Sequence, residues 1–413
     1  MNVTLCSIGD EVRIGQVINT NASWIAAACT AIGCTVGEHV TIGDEASLIT
    51  STLDRLCLVS DVVIMTGGLG PTHDDITKDV VAAYTHDTLT ESAQWLSHLN
   101  AWMSQRGREL TERNQRQALL PSRATILPNP HGTAAGMLLH HNGTVLVVLP
   151  GVPTEMKAIM DQSVLPWLAA RIAESTVAST TYRTLMTVGI AESSLADLLG
   201  DPSQFLGTST LAFLPNYLGV RMRVGATGTT QQERNDELDR VCSYIYERAQ
   251  RFIYAEGEHS LAEVVGRLLT ERGETLSVAE SCTGGLLGAA CTDVSGSSTW
   301  FMGGMLVYSN ESKIQQLGVD ASVIDQQGAV SEPVAIALAN GVRSRFGTTY
   351  GIGITGIAGP TGGSEAKPVG TVWIALAGPT VTDVHRFQFG NDRRITRERS
   401  VGAALGLLWK IIR

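Results

Sequence analysis

Ser281 stands in the string Glu280-Ser281-Cys282-Thr283-Gly284-Gly285, between an apolar run at residues 275–278 and a helix-prone run at 286–291. A strand-to-helix turn of this kind exposes a hydroxyl and sets free backbone N–H groups beside it, the material of an oxyanion hole. A serine needs a base to act as nucleophile. No histidine lies between Ser260 and Thr380, so a Ser-His-Asp triad has nothing to draw on. Lys313, five residues after Tyr308 in Tyr308-Ser309-Asn310-Glu311-Ser312-Lys313, is the candidate base. Lysine serves as a base when desolvation or nearby positive charge lowers its pKa; the competing reading is an exposed lysine on a helix. Cys282 is the rival nucleophile, and directly activated water a third option. No thiolate-stabilising partner is close to Cys282 in sequence, which favours Ser281.

Two further groups belong with this chemistry. The glycine-rich string Thr355-Gly356-Ile357-Ala358-Gly359-Pro360-Thr361-Gly362-Gly363 could shape a pocket around a ribose or phosphate. Arg393 and Arg397, spaced i and i+4, share one helical face and suit a phosphate or carboxylate bidentately. The competing readings are plain loop turns and a solvated helix face.

A different chemistry is written near the front of the chain. Gly67-Gly68-Leu69-Gly70-Pro71-Thr72-His73-Asp74-Asp75 follows an apolar run and precedes a helix. Glycines there let backbone N–H groups approach a phosphate. Asp74 and Asp75 would repel that phosphate unless a hard cation such as Mg²⁺ lay between them. Asp10, Glu11 and Asp44 stand at neighbouring strand ends. The plainer alternative is that Asp75 and Thr77 cap a helix. Residues 129–136, with Leu149-Pro150-Gly151-Val152-Pro153, are read as the other wall of a nucleotide pocket or as two turns. His73 is read as a surface residue.

The elements that must position these groups alternate. Residues 3–7, 35–41, 61–66 and 144–149 read as strands; Asn21 reads as the cap of a helix with Trp24, Ile25 and Ala28 on its apolar side, and Gly33 as its stop. A further helix is expected from about residue 76. Continuous apolar strands alternating with helices predict a parallel sheet covered on both faces, with ligands at the carboxyl ends of its strands. From about residue 170 the order becomes β-α-β-β-α: strands at 181–188, 210–214 and 220–227, helices at 192–199 and 231–250. That is a small α+β module without a catalytic cluster, read as a spacer or dimerisation element. A second α/β region follows, with a helix from Ser260 to Gly273, strands at 275–278, 303–308, 350–354 and 369–377, and a last helix at 395–412. The expected organisation is therefore two α/β domains with mainly parallel sheets, residues 1–169 and 258–413, joined by an α+β linker at 170–257. No short-period repeat is present.

Composition bounds the function. The 413 residues carry 30 Lys+Arg against 40 Asp+Glu, a net charge of −10, which argues against nucleic acid as partner. The hydrophobic fraction of 44% supports sizeable cores. The seven cysteines include no C-x-x-C pair, which argues against a disulfide framework or structural zinc and for a reducing compartment. The N-terminus lacks the pattern of a signal peptide and no apolar run reaches a membrane span, so a soluble cytoplasmic protein is expected.

These strings resemble the CinA (competence/damage-inducible) family over nearly the whole chain. In the first segment the match runs through Gly15-Gln16, Asn19-Thr20-Asn21, residues 66–72, Asp74-Asp75-Ile76-Thr77, Asn114, Gln117-Ala118, Gly132-Thr133, Gly136, residues 149–153 and Glu155-Met156-Lys157. In the last it runs through residues 279–285, Tyr308-Ser309-Asn310, Lys313, Gly328-Ala329-Val330-Ser331-Glu332, residues 355–363 and 367–372. The resemblance implies a molybdopterin-binding-like first domain, a KH-like linker, a nicotinamide-nucleotide amidase as the last domain, and a homodimer. It implies hydrolysis of nicotinamide mononucleotide to nicotinate mononucleotide and ammonia, without a cofactor, by the last domain. For the first it implies ADP-ribose pyrophosphatase activity needing a divalent metal such as Mg²⁺, with or without a monovalent cation. Both belong to pyridine-nucleotide salvage.

In this reading Ser281, Lys313, Tyr308 and Thr355 are catalytic, with Tyr308 holding Lys313. Thr283, Gly284 and Gly285 supply the oxyanion donors, and Asn310, Gly356, Arg393 and Arg397 bind substrate. In the first domain Gly67, Gly68, Gly70 and Thr72 bind substrate and Asp44, Asp75 and Asp74 hold the metal. The opening acidic string reads Gly9-Asp10-Glu11-Val12-Arg13-Ile14-Gly15, a departure from the family's usual stretch there. The turn Gly390-Asn391-Asp392-Arg393 is one residue longer than the family's Gly-Asp-Arg, which leaves Arg393 and Arg397 as equal candidates for the phosphate. The alternatives are a first domain that binds a nucleotide or pterin without turning it over, and an interaction factor linked to competence.

Overall fold

The computed structural model describes residues 1–174, 178–217 and 219–413; residues 175–177 and 218, within the segment read as a linker, lie outside it. The chain divides into two compact units, Met1–Tyr182 with Ala226–Glu237, and Arg183–Gly225 with Leu238–Arg413.

The first unit is built on a six-stranded sheet: β1 (Asn2–Ile8), β2 (Thr35–Ile42), β3 (Val62–Thr66), β4 (Thr125–Leu127), β5 (Gly136–His141) and β6 (Thr144–Leu149), in the order β2-β1-β3-β6-β5-β4. The first four in that order run parallel; β5 and β4 close the sheet antiparallel. Alternation along β1 divides the core. Val3 and Leu5 face α1 (Thr20–Ala31), while Cys6 and Ile8 face α2 (Ala46–Cys57). Fully buried Ile25 on α1 and Leu53 on α2 each contribute about 1.5–3 kcal/mol of apolar burial. The chain leaves β1 for β2 on one side and returns for β3 on the other. The carboxyl ends of β1 and β3 therefore flank a crevice, the switch point of such a sheet.

Sequence and structure differ at two helix starts here. Asn19, not Asn21, caps α1, accepting from the Ala22 N–H at 3.1 Å. Asn21 instead donates to the Gly151 carbonyl at 2.7 Å, a long-range contact that outcompetes the local cap. The helix after the glycine loop, α3 (Thr77–Tyr84), starts at Ile76 with no side-chain cap, so Asp75 and Thr77 are not capping residues.

The middle segment is a four-stranded sheet of β7 (Ser179–Thr187), β8 (Thr210–Pro215), β9 (Val220–Gly228) and β10 (Ile253–Glu256), in the order β8-β9-β7-β10, with α4 (Glu192–Leu199) and α5 (Gln231–Ala249). The strand β10, four residues long, is an addition to the elements read from sequence.

The second unit carries a five-stranded sheet: β11 (Leu276–Glu280), β12 (Phe301–Leu306), β13 (Tyr350–Gly356), β14 (Thr371–Ala377) and β15 (Thr382–Gln388), in the order β12-β11-β13-β14-β15. Strands β12, β11 and β13 are parallel and the last two antiparallel. Its helices are α6 (Leu261–Arg272), α7 (Leu286–Thr292), α8 (Asn310–Leu317), α9 (Ala321–Gln327), α10 (Glu332–Phe346) and α11 (Arg393–Ile412). Ser260 and Glu263 form a capping box on α6 and Gly273 ends it in the left-handed conformation, as their types dictate. The chain again goes from β11 to one neighbour, β12, before returning to the other, β13. Here the switch point lies between Ser281 and Thr355. All seven cysteines are free. Among the described residues no helix is long and apolar enough to cross a membrane.

Candidate active site

At that switch point a cavity of about 280 Å³ is lined by Ser281, Cys282, Tyr308, Asn310, Lys313, Thr355, Gly356 and Arg393, together with the 357–362 loop and Ala329-Val330. Seven of the residues singled out from sequence thus meet in one place with the rival Cys282.

Lys313 decides what this cavity can do. It lies on the inner face of α8 and is 1% exposed, so it is not a solvated helical lysine. Its Nζ is 3.2 Å from Ser281 Oγ, 2.9 Å from the Val307 carbonyl oxygen and 3.0 Å from the Tyr308 carbonyl oxygen. Burial pushes the Lys313 pKa down, with the Cys282 thiol opposing. Neutral lysine has two N–H donors and one lone pair. Carbonyl oxygens only accept, so Val307 and Tyr308 take the two hydrogens and leave the lone pair for the Ser281 hydroxyl. Lys313 is thus held by the backbone of Tyr308. The Tyr308 side chain is 65% exposed, its hydroxyl 3.4 Å from Arg393 Nη2. Burial pushes the Cys282 thiol up to about 12, which keeps it protonated and makes it a poor nucleophile.

The turn after Ser281 departs from expectation. The N–H groups of Gly285, Leu287 and Gly288 donate to the Glu280 carboxylate at 3.0, 3.1 and 2.8 Å, and Gly284 N–H donates to the Ser281 carbonyl. Gly284 and Gly285 are therefore not free oxyanion donors. The N-terminus of α7 is already occupied by a carboxylate, which is also how Glu280 can be 1% exposed. The amides of Cys282 and Thr283 have no backbone acceptor among the described residues and are the donors left in the turn after Ser281; Cys282 lines the cavity and Thr283 is buried behind it. Glu280 was not given a role from sequence; its signal is an acidic residue at a strand end just before a helix start.

The two arginines are distinct. Asp392 caps α11, accepting from Ile395 N–H at 2.8 Å, so the extra residue in the turn is absorbed before the helix. Arg393 lines the cavity and donates to the Gly359 carbonyl at 2.9 Å. Arg397 turns away from the cavity wall and grips the Thr283 carbonyl through Nε and Nη2, at 3.2 and 2.8 Å. It shapes the turn, whereas Arg393 reaches the cavity. Thr355 donates to the Ala329 carbonyl at 2.8 Å.

The first unit has its own cavity, about 460 Å³, at the carboxyl ends of β1 and β3. Gly67, Gly68 and Gly70 line it with Glu11, Asp44, Asp74 and Asp75, and Thr133, Ala134 and the 150–153 turn make the opposite wall. Gly67, at φ 107°, has no room for a Cβ, which would strike the Ile8 carbonyl; glycine is what lets the two strand ends meet. Asp75 accepts from the Thr72 N–H at 2.9 Å and from its hydroxyl. Thr72 therefore positions Asp75 and is not on the cavity wall. Asp44 accepts from Asp10 N–H at 3.0 Å. Burial raises the Asp44 pKa, that N–H opposes, and the charges of Glu11, Asp10 and Asp74 raise it further. Among the described residues no three of His, Cys, Asp and Glu form a ready ligand set. Two acceptors on the wall, Asn21 Oδ1 and Gln117 Oε1, have no hydrogen-bond partner among the described residues. Gln117 belongs to the family-like string Gln117-Ala118, and its residue type alone points to no role.

Comparison with known proteins agrees along the chain. The "CinA C-terminal domain" model matches residues 258–412, the "Probable molybdopterin binding domain" model residues 4–170, and the "Damage-inducible protein CinA KH domain" model residues 182–255. A CinA-like protein of Salinibacter ruber is 42% identical over 408 residues, covering 98% of each chain. The chain belongs to the CinA family. A second CinA-like protein, from Geobacter sulfurreducens, is 40% identical over 409 residues, covering 99% of this chain and 98% of its own. The crystal structure of the CinA protein from Thermoplasma acidophilum is 31% identical, with a TM-score of 0.36, covering 39% of this chain and 94% of that one.

Proposed function

We propose that the cavity around Ser281 hydrolyses the carboxamide of nicotinamide mononucleotide, giving nicotinate mononucleotide and ammonia. The observation that carries this reading is the buried Lys313 Nζ, 3.2 Å from Ser281 Oγ and within hydrogen-bond distance of the Val307 and Tyr308 carbonyl oxygens. Ser281 Oγ attacks the carboxamide carbon while Lys313 Nζ takes the hydroxyl proton. The tetrahedral oxyanion is met by the amides of Cys282 and Thr283. Lys313 then gives its proton to the departing nitrogen, the C–N bond breaks, and ammonia leaves an ester on Ser281. Water, losing a proton to Lys313, attacks that ester; the proton returns to Ser281 Oγ as the acid leaves. Arg393 meets the 5′-phosphate, with Asn310 and Gly356 on the pocket wall beside the ring and ribose. Ammonia release from nicotinamide mononucleotide, lost in Ser281→Ala, tests the assignment.

For the first unit we propose a metal-dependent ADP-ribose pyrophosphatase. Asp44 crowded by other carboxylates, and a glycine loop beside Asp74 and Asp75, fit a divalent cation such as Mg²⁺ that takes one or two carboxylates and completes its shell with substrate phosphate and water. Asp44 and Asp75, with Asp74, would hold it, and it would neutralise the pyrophosphate. Asn21 and Gln117 offer acceptors to ribose or base donors. AMP release from ADP-ribose, dependent on added Mg²⁺, tests this; tight ADP-ribose binding without product would mark a binding module instead.

A further inference from the structure

Two buried thiols of the first unit belong to neither reacting cavity. Helix α1 is closed by Gly33, whose φ of 95° lies in the left-handed region. Gly33 N–H donates to the Thr30 carbonyl at 3.1 Å, and Cys34 N–H donates to the Cys29 carbonyl at 3.0 Å. That pair of bonds is the Schellman closure of a helix, which sets the side chains of its two outer residues against each other, most often as an apolar contact. Here both outer residues are cysteines. Cys29, near the end of α1, is fully buried; Cys34, 5% exposed, stands just before the edge strand β2. Their thiols share a hydrogen bond. That bond lowers the Cys34 pKa, with burial opposing and the N-terminal ammonium assisting. The same bond, together with burial, raises the Cys29 pKa. At the other five cysteines, Cys6, Cys57, Cys242, Cys282 and Cys291, burial pushes the thiol up.

Two thiols held in contact, one stabilised as thiolate and the other its hydrogen-bond donor, are the arrangement of an attacking and a resolving cysteine. We infer that Cys29 and Cys34 are an oxidisable dithiol, which a small peroxide converts to a reversible disulfide across the end of α1. The Cys34 thiolate attacks one oxygen of hydrogen peroxide, the O–O bond breaks, and hydroxide leaves as water with the proton that Cys34 gave up. Cys34 then carries a sulfenic acid. The Cys29 sulfur attacks the Cys34 sulfur, the S–O bond breaks, and hydroxide leaves with the Cys29 proton as a second water. Each sulfur loses one electron and the peroxide gains both. Only Cys34 has to meet the oxidant, a molecule little larger than water. Cys29 attacks from the core side, over a contact that the helix closure has already made. The inference does not rest on the functions proposed for the two cavities.

The test is hydrogen peroxide added to the folded full-length protein, followed by alkylation in denaturant, trypsin digestion and mass spectrometry. Cleavage after Arg13 and Arg55 releases residues 14–55, a peptide that holds these two cysteines and no other. The expected product is that peptide lighter by two hydrogens and without alkyl groups, taking up two alkyl groups once dithiothreitol has reduced it. It is expected to form at least about tenfold faster than any of the other five cysteines is lost. Two alkyl groups on the peptide at every peroxide dose, or oxidation no faster than at the other five cysteines, would overturn the pair. So would oxidation of Cys34 to the sulfinic acid without a cross-link. In Cys29→Ser the cross-link is expected to vanish and Cys34 to be trapped by dimedone as its sulfenic acid; no adduct in that variant would overturn Cys34 as the attacking thiol.

Discussion

The Ser281 cavity and the glycine-loop cavity occupy the same topological place, the crevice where the chain leaves one strand for neighbours on opposite sides. Their chemistries separate because of what each buries. The second unit encloses Lys313 and supplies its acceptors from the backbone, so base and nucleophile are set before any ligand arrives. The first unit gathers carboxylates around Asp44, whose ionisation burial and the neighbouring charges make costlier, and they form no ready ligand set among the described residues. In our proposal the same crevice gives a self-sufficient reacting pair in one case and half of a site in the other, completed by cation and substrate.

The comparison can be broken most sharply at the nucleophile. Ser281→Ala is expected to lower ammonia release from nicotinamide mononucleotide by about 10³-fold or more while ADP-ribose hydrolysis is unchanged. Chelation is expected to do the reverse: EDTA removes AMP release from ADP-ribose and leaves ammonia release intact, and Asp75→Ala costs the pyrophosphatase about 10²-fold. Equal sensitivity of both activities to EDTA would collapse the distinction. Arg393→Ala removes one charge-assisted contact to phosphate and is expected to raise KM about 10- to 100-fold with kcat little changed, whereas Arg397→Ala, acting through the Thr283 turn, lowers kcat.

A pH profile sharpens the role of Lys313. Because burial lowers its pKa, the reactive neutral form appears below the usual lysine range. The amidase kcat/KM is therefore expected to rise with pH and level off before about pH 10. A rate falling through that range would contradict a neutral-amine base. The smallest effect is expected at Cys282: with its thiol pushed up to about 12, Cys282→Ser should leave kcat within about threefold of wild type.

Much of this molecule is readable from residue order, and the limits have physical causes. The apolar runs at residues 62–66 and 144–149 are strands because they are buried on both faces, and such runs announce themselves. Strand β15 is hidden because Thr382–Gln388 is an edge strand with polar, exposed positions. Helix α10 contains Pro333 at its start and Gly341 in its middle, which break the helical pattern; Gly341 lies against the Leu317 carbonyl. Asn19 and Asn21 are equally good caps locally, and the choice falls to a carbonyl 130 residues away. Ser281, Lys313 and Arg393 stand out by residue type and spacing, and they meet in one cavity. The roles proposed for them rest on burial of Lys313, on Glu280 filling the α7 N-terminus and on Arg397 holding Thr283 from 114 residues away, none of which residue order displays.

The most direct measurement is ammonia release from nicotinamide mononucleotide by wild type beside Lys313→Met, which keeps an unbranched stem but removes the base. Release by wild type and a loss of about 10³-fold or more in the variant are expected, with the folded structure retained by circular dichroism. Comparable release by both proteins, or none from well-folded wild type, would contradict the role proposed for Lys313.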